Sequence, residues 1–295
     1  MKINFLIGLS FGAILACGGD IGIARDKTQN DTNDAVQEPI DEPEITTDFV
    51  VRGPHETNKD NRAVEVTNCS NMNYSVYSPV GIEKPPVAIL GHGFARGPDT
   101  MVGWADHLAS WGVEVLLPTL CHYNILAGVD HEMNGQNMIE LADHHGATEV
   151  VYGGHSAGGL AAIIAASQDS DSLGVLGLDT TDTENVPNIP DFIGQQYAAD
   201  VKSPAFLVMG EPSSCNSDNN GLQLFEMMED SYILKVDDAD HCDFESPTDF
   251  VCEMNCENNN AETSDEQIRS LIFTLGTSAI LSLTDLSEDG WIIWR

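Results

Sequence analysis

The chain has 295 residues and a formal net charge of −35, which comes from 47 acidic and 12 basic side chains. So large a negative charge argues against nucleic acid and against an anionic membrane surface as partners, because both would be repelled. The length is enough for one large domain with a substantial core, and no internal repeat divides it.

Residues 1–16 have the organisation of an export signal. Lys2 precedes a mostly apolar run, and this run ends at Ala16, directly before Cys17. The run is shorter than the roughly 20 residues that a membrane span needs. The arrangement resembles a bacterial lipoprotein signal, which implies cleavage before Cys17 and a lipid on that cysteine that holds the protein at the membrane, in the periplasm or at the cell surface. Ile14 stands where that pattern most often has leucine, so ordinary cleavage and secretion remain open.

Residues 17–47 are polar and acidic and contain few large apolar side chains. Such a segment buries too little surface to order itself, and we predict a disordered tether. Residues 48–295 form the predicted folded domain.

Cysteine usage supports export to an oxidising compartment. Six cysteines follow Cys17, and an even number in an exported chain predicts disulfide bonds, although the sequence leaves their pairing open. They are Cys69, Cys121, Cys215, Cys242, Cys252 and Cys256. A metal site formed by His241, Cys242, Cys252 and Cys256 is an alternative, but these cysteines lack the usual two-residue spacing.

Apolar runs alternate with helical segments along the folded part of the chain. We predict strands at residues 86–90, 113–117, 149–152, 173–178, 205–209 and 232–236. We predict helices at residues 101–111, 135–145, 160–166 and 267–283. This alternation is typical of an α/β fold with a mostly parallel central sheet and helices on both faces.

The third predicted strand runs into the sequence Gly154-His155-Ser156-Ala157-Gly158, which an apolar helical run follows. A serine between two glycines at such a strand-to-helix junction predicts a sharp turn that exposes the hydroxyl as a nucleophile. The backbone N–H of Ala157 would then face the negative charge that forms during acyl transfer.

A serine nucleophile needs an imidazole base and a carboxylate that orients this base. This junction resembles the nucleophile turn of the α/β-hydrolase superfamily, and that resemblance implies that the acid and the histidine follow the serine in the chain. Of the nine histidines, only His241 comes after Ser156. The base is therefore predicted to be His241.

The acid has two main candidates. Asp179 directly follows an apolar strand, whereas Glu211 follows the next strand, with Asp182 and Asp218 as nearby alternatives. We favour Asp179, because the residues around Glu211 lack an aspartate shortly after the glycine that ends the strand.

A second oxyanion donor is expected after the first predicted strand, where His92-Gly93-Phe94 allows a close turn. We predict that the backbone N–H groups of Phe94 and Ala157 form the oxyanion hole. Phe94, Met101 and Trp104 are candidates for an apolar pocket wall, although the last two fit a helix core equally well.

These segments together resemble the α/β-hydrolase superfamily, and more narrowly its chlorophyllase, platelet-activating-factor acetylhydrolase and cutinase-like polyester-hydrolase branches. The matching segments are residues 77–79, 87–94, 107–112, 154–159, 177–179 and 240–243. The first two branches have the acid after the strand that follows the nucleophile's helix, which supports Asp179. The cutinase-like branch has it one strand later, where this chain offers Glu211.

The resemblance implies an exported serine esterase that forms an acyl-enzyme on Ser156, with Asp179 and His241 as the other triad members. It implies no cofactor and no metal, and a small-molecule, lipid or polyester ester as substrate. Two alternatives remain open. The chain could be a surface-binding lipoprotein that kept a hydrolase scaffold without activity, or an amide or peptide hydrolase, since the same triad cleaves both kinds of bond.

Overall fold

The computed structural model describes residues 46–124, 128–185, 189–256 and 261–295. The predicted signal peptide, Cys17 and all of the predicted tether except its last two residues lie outside these ranges. Among the described residues, no helix combines the length and the apolar character that crossing a bilayer would require.

An eight-stranded sheet forms the centre of the described fold, with the strand order β1-β2-β4-β3-β7-β8-β9-β10. Its strands are β1 (Thr57–Val66), β2 (Cys69–Pro79), β3 (Val87–Gly91), β4 (Glu114–Pro118), β7 (Val150–His155), β8 (Ser172–Leu178), β9 (Ala205–Met209) and β10 (Ser231–Lys235). Two short strands, β5 (Tyr123–Asn124) and β6 (Gly128–Val129), pair separately. In the large sheet, β1 with β2 and β2 with β4 are antiparallel, and the five other pairings are parallel.

Helices pack on both faces of this sheet, as the alternating pattern predicts. The helices are α1 (Val102–Ser110), α2 (His131–His145), α3 (Ala157–Gln168), α4 (Leu222–Met227), α5 (Phe250–Cys256), α6 (Asp265–Leu283) and α7 (Glu288–Trp294). Buried side chains of α2, α3 and α4 form one core with the sheet. Those of α1 and α6, together with Trp294 of α7, form a second core on the opposite face.

The six predicted strands and four predicted helices are all present, with ends that differ by a few residues. The antiparallel pair β1 and β2 is an addition. Residues 58–63 of β1 are exposed and mostly polar. They lack the alternation of apolar and polar residues that predicts a strand, so the sequence analysis did not find β1.

Three disulfide bonds lie within the described chain, which confirms the interpretation of the six cysteines. The pairs are Cys69–Cys121, Cys215–Cys256 and Cys242–Cys252. The three cysteines of the alternative metal site thus have their sulfur atoms in disulfides, and a metal ligand would have to be a free thiolate. The sulfurs of Cys242, Cys252 and Cys256 lie within 4.8 Å of one another, so two disulfides are adjacent.

Candidate active site

The chain changes direction across the sheet between β3 and β7. After β3, the chain continues to β4 on one side, and it then returns to β7 on the other side of β3. In open parallel sheets, ligands bind at the carboxyl ends of the strands that border such a switch. Here those ends carry the loop after Gly91 and the residue Ser156, which are both predicted site segments.

Ser156 joins the last residue of β7 to the first residue of α3 and has φ 55° and ψ −122°. Few side-chain-bearing residues adopt this conformation, and such strain is typical of functional positions. The surrounding glycines permit the turn. A Cβ on Gly158 would lie 2.3 Å from the carbonyl oxygen of Gly91, and a Cβ on Gly154 would lie 2.6 Å from the same oxygen. The two glycines are therefore required by the close approach of α3 to β3.

The residues predicted as acid and base are in direct contact. Asp179 Oδ2 lies 2.6 Å from His241 Nδ1, and both side chains are almost completely buried. Asp179 follows β8 with a positive φ of 44°. The backbone N–H of Gly210 donates to Asp179 Oδ1 at 3.0 Å, so the end of β9 helps to orient the carboxylate.

The alternative acids have other partners. The carboxylate of Glu211 accepts a 2.6 Å hydrogen bond from Lys235 Nζ at the end of β10. Asp182 is buried and accepts from the backbone N–H groups of Thr183 and Gly194. Within the described residues, neither of these carboxylates nor that of Asp218 contacts His241. The geometry therefore favours Asp179 over the alternatives.

Asn216 is a site residue that the sequence analysis missed. It is fully buried, and its side-chain nitrogen donates to Asp179 Oδ2 at 3.1 Å. It lies in a polar loop after β9, where an asparagine usually indicates a turn. No sequence pattern distinguishes it from the neighbouring Asn219 and Asn220.

His241 begins a short 3-10 helix, residues 241–244, which has a capping box. Asp240 Oδ1 accepts from the N–H of Cys242 at 2.7 Å, while Asp243 Oδ2 accepts from the N–H of Asp240 at 3.0 Å. Burial raises the pKa of Asp243 to about 6, although the guanidinium of Arg269 opposes this shift. The cap fixes the backbone at the position where the imidazole leaves the chain.

Ser156 and His241 lie on neighbouring loops, but within the described residues the serine hydroxyl makes no hydrogen bond to the imidazole. The ring of His155 packs against the ring of His241 with a centroid separation of 4.4 Å. Catalytic hydrogen bonds are often long or poorly aligned in unliganded enzymes and shorten when substrate binds, so the lack of a Ser156–His241 hydrogen bond does not exclude His241 as the base.

The two predicted oxyanion donors flank the serine. Ala157 is the first residue of α3, and Phe94 lies in the loop after β3. Within the described chain, the backbone N–H groups of these two residues have no hydrogen-bond acceptor. A Cβ on Gly93 would lie 3.5 Å from Ser156 Cβ, so this loop passes directly beside Ser156. The two free donors are thus close to the predicted reaction centre.

His92 holds the loop that carries Phe94. Its Nδ1 lies 3.0 Å from the carbonyl oxygen of Gly93, and its Nε2 accepts from the N–H of Leu120 at 3.1 Å. Burial lowers the pKa of His92 to about 4, so the ring is neutral near pH 7 and can donate from one nitrogen while accepting at the other.

Of the three candidate wall residues, Met101 and Trp104 are fully buried in the core between α1, α6 and the sheet. Trp104 Nε1 donates to the carbonyl oxygen of Phe244 at 2.9 Å, which ties α1 to the loop of His241. Both residues are core residues, and only Phe94 retains partial exposure.

No family model matches this chain, and no curated protein matches it.

Proposed function

We propose that this protein is a serine hydrolase of the α/β-hydrolase fold that cleaves carboxylic esters through an acyl-enzyme. The observation that carries the proposal is the 2.6 Å hydrogen bond between His241 and Asp179, at the same sheet edge as the strained turn of Ser156. The mostly parallel sheet supports the fold proposal. Its switch in strand order lies between β3 and β7, the strands that precede Phe94 and Ser156.

The hydrogen bond of His241 determines what its other nitrogen can do. A proton on Nδ1 that is shared with Asp179 leaves a lone pair on Nε2. This lone pair accepts the proton of the Ser156 hydroxyl while the serine oxygen attacks the carbonyl carbon of the ester. Asp179 stabilises the imidazolium that results, and Asn216 and Gly210 keep Asp179 oriented through their hydrogen bonds.

Attack converts the ester carbonyl oxygen into an oxyanion in the tetrahedral intermediate. The N–H groups of Phe94 and Ala157 are free to donate to it, and the N-terminus of α3 adds a favourable dipole. The intermediate collapses when the alcohol leaves with the proton from His241. Water then attacks the acyl carbon and gives a proton to His241; the bond from this carbon to the Ser156 oxygen breaks as that oxygen takes the proton back, the carboxylic acid leaves, and the cycle needs no cofactor.

Export is part of the proposal, because three disulfide bonds are typical of an oxidising compartment. Lipid attachment at Cys17 lies outside the described residues and stays a prediction. Metabolic labelling with an alkyne-tagged fatty acid tests it. We expect labelling of the wild type and none of Cys17→Ser, and an unlabelled wild type would favour secretion without a lipid.

The enzyme proposal is tested with a fluorophosphonate probe and with pairs of esters and anilides that share an acyl group. We expect the wild type to be phosphonylated and to hydrolyse esters faster than anilides, whereas Ser156→Ala does neither. Ser170→Ala is the control, because Ser170 is exposed in the loop after α3. An unlabelled wild type would favour the non-catalytic binding role, and faster anilide cleavage would favour an amidase.

A further inference from the structure

A buried ion pair joins the two loops on either side of Ser156. Arg96 Nε donates to Glu245 Oε1 at 2.7 Å, and Arg96 Nη2 donates to Glu245 Oε2 at 2.6 Å. The side chain of Glu245 is completely buried, and that of Arg96 is 16% exposed. Arg96 lies two residues after the proposed oxyanion donor Phe94, and Glu245 lies four residues after His241.

Stability alone is a poor explanation for this pair. Removing two charges from water is costly, and replacing a buried ion pair with apolar residues is often neutral or stabilising. A two-pronged contact between guanidinium and carboxylate does, however, define the relative position and plane of both groups. The pair is therefore suited to set the geometry of the two loops that it joins.

The loop of Arg96 has a strained residue that this contact can hold. Ala95, between Phe94 and Arg96, has a positive φ of 55°. Side-chain-bearing residues rarely adopt this conformation unless neighbouring contacts fix it. Ala95 N donates to the carbonyl oxygen of Tyr123 at 3.3 Å, and Arg96 anchors the other side through Glu245. The backbone N–H of Arg96 donates to the carbonyl oxygen of Gly93 at 3.2 Å, and this carbonyl shares its peptide plane with the Phe94 N–H, so a shift of Arg96 would change the direction of that N–H.

His155 fills the space between the ion pair and the proposed base. Its Nδ1 lies 3.7 Å from Glu245 Oε1, and its ring packs on His241. The ring is fully buried, and within the described chain neither of its nitrogens has a hydrogen-bond partner. Burial lowers its pKa well below the ordinary value, and the positive charge of Arg96 acts in the same direction. His155 is thus a neutral spacer through which a displaced Glu245 would disturb His241.

We propose that Arg96 and Glu245 are positioning residues that hold the oxyanion loop in register with the loop of His241, on either side of Ser156. This inference rests on the proposed function and assigns the pair a role in the transition state, not in substrate binding. The pair touches no reacting atom. Its loss should therefore lower kcat and leave KM almost unchanged, because an N–H that is misdirected in the tetrahedral state weakens only that state.

The experiment uses the full chain with Arg96→Lys, Arg96→Met and Glu245→Gln, and with Arg62→Met as a matched control. Arg62 forms an exposed ion pair with Asp60 on β1. With a short aryl ester, we expect kcat to fall about 10- to 100-fold in the three variants, KM to stay within about twofold, and the control to match the wild type. Arg96→Lys keeps the positive charge but loses the two-pronged contact, so its kcat should lie between those of Arg96→Met and the wild type. A kcat of Arg96→Lys equal to that of the wild type would overturn the inference.

A trifluoromethyl ketone provides the readout that a merely structural role would not change. Ser156 adds to its carbonyl carbon, the serine proton passes to His241, and the ketone oxygen becomes an oxyanion in the proposed hole. We expect its inhibition constant to rise in proportion to the fall in kcat/KM across the variants, when each variant is assayed well below its own melting temperature.

Two outcomes separate this inference from the proposed function. If the wild type turns over esters, Ser156→Ala does not, and the Arg96 and Glu245 variants keep both kcat and inhibitor affinity, only the positioning role is wrong. If the wild type does not react with the ester or the ketone, the hydrolase proposal itself is wrong.

Discussion

The side-chain nitrogen of Asn216 donates to both carboxylate oxygens of Asp179, at 3.1 Å to Oδ2 and 3.4 Å to Oδ1. The side-chain oxygen of Asn216 accepts from the backbone N–H groups of Ser213 and Asn219 at 2.8 and 3.2 Å. Asn216 therefore joins the loop after β9 to the carboxylate that contacts His241. Its nitrogen also donates to the carbonyl oxygen of Glu211 at 2.9 Å, so the donor serves both Asp179 and the loop, whereas the acceptor serves the loop.

Asn216→Asp keeps the acceptor that organises the loop, but it removes the donor and adds a second carboxylate beside Asp179. Like charges at this distance disfavour ionisation of both groups. We expect ester turnover at pH 7 to fall about 10- to 100-fold, because the oriented and ionised acid is lost. Steady-state kinetics measures this effect. Asn220→Ala is the control, since the side chain of Asn220 bonds the backbone of Asp182 and not Asp179 among the described residues. Equal losses in both variants would refute the specific role of Asn216.

The parts of the site that could be predicted are those fixed by the ends of buried strands. Ser156 and Asp179 directly follow apolar runs, and the parallel sheet brings these runs to one edge. Asn216 and the pair of Arg96 with Glu245 could not be predicted, because their contacts span 37 and 149 residues of chain. Polar loop residues have no periodicity, so only the tertiary structure identifies their partners.

The assignment of the acid predicts different effects for two carboxyl-to-amide substitutions. Asp179→Asn removes the acceptor of the His241 proton and favours the wrong imidazole tautomer, so kcat should fall by about 10⁴. Glu211→Gln should leave kcat within about twofold, because the carboxylate of Glu211 bonds Lys235 and the backbone of Asp238. Burst and steady-state kinetics at pH 8 distinguish the two. Loss of activity in the Glu211 variant alone would move the acid one strand later.

We expect the disulfide Cys242–Cys252 to matter more for turnover and the disulfide Cys69–Cys121 to matter more for stability. Cys242 follows His241, and its bond to Cys252 closes a loop of 10 residues, whereas Cys69–Cys121 closes one of 52. Chain entropy predicts losses in the free energy of unfolding of about 3 and about 4 kcal/mol when each pair is replaced by serines. We expect the Cys69 and Cys121 double variant to lose more stability, and the Cys242 and Cys252 double variant to lose more turnover.

Urea unfolding and kcat, both measured at 20 °C, test this contrast for the disulfides. The two double variants serve as controls for each other, because each removes one covalent link and two sulfur atoms. If turnover falls only in proportion to the unfolded fraction in both variants, the bond beside His241 has no separate role in catalysis.

The burial of His131 predicts that the protein loses stability in acid. It begins α2 and is 6% exposed, and among the described residues its Nδ1 has no hydrogen-bond partner. Burial lowers its pKa from 6.5 to about 4, although the charge of Asp130 opposes the shift. Between these values the unfolded chain binds the proton and the folded protein does not. The free energy of unfolding should therefore decrease as the pH falls from 6.5 to 4, by up to about 1.4 kcal/mol per pH unit from this residue.

His131→Phe tests this account, because phenylalanine keeps a ring of similar size and has no proton to bind. At pH 8 both residues are uncharged, so urea unfolding there provides the reference for the difference between the two proteins. On lowering the pH to 4.5, the variant should gain stability relative to the wild type, because only the wild type must then exclude a proton that its unfolded chain binds. If the difference in unfolding free energy between the two proteins stays constant from pH 8 to pH 4.5, His131 binds its proton equally in the folded and unfolded states.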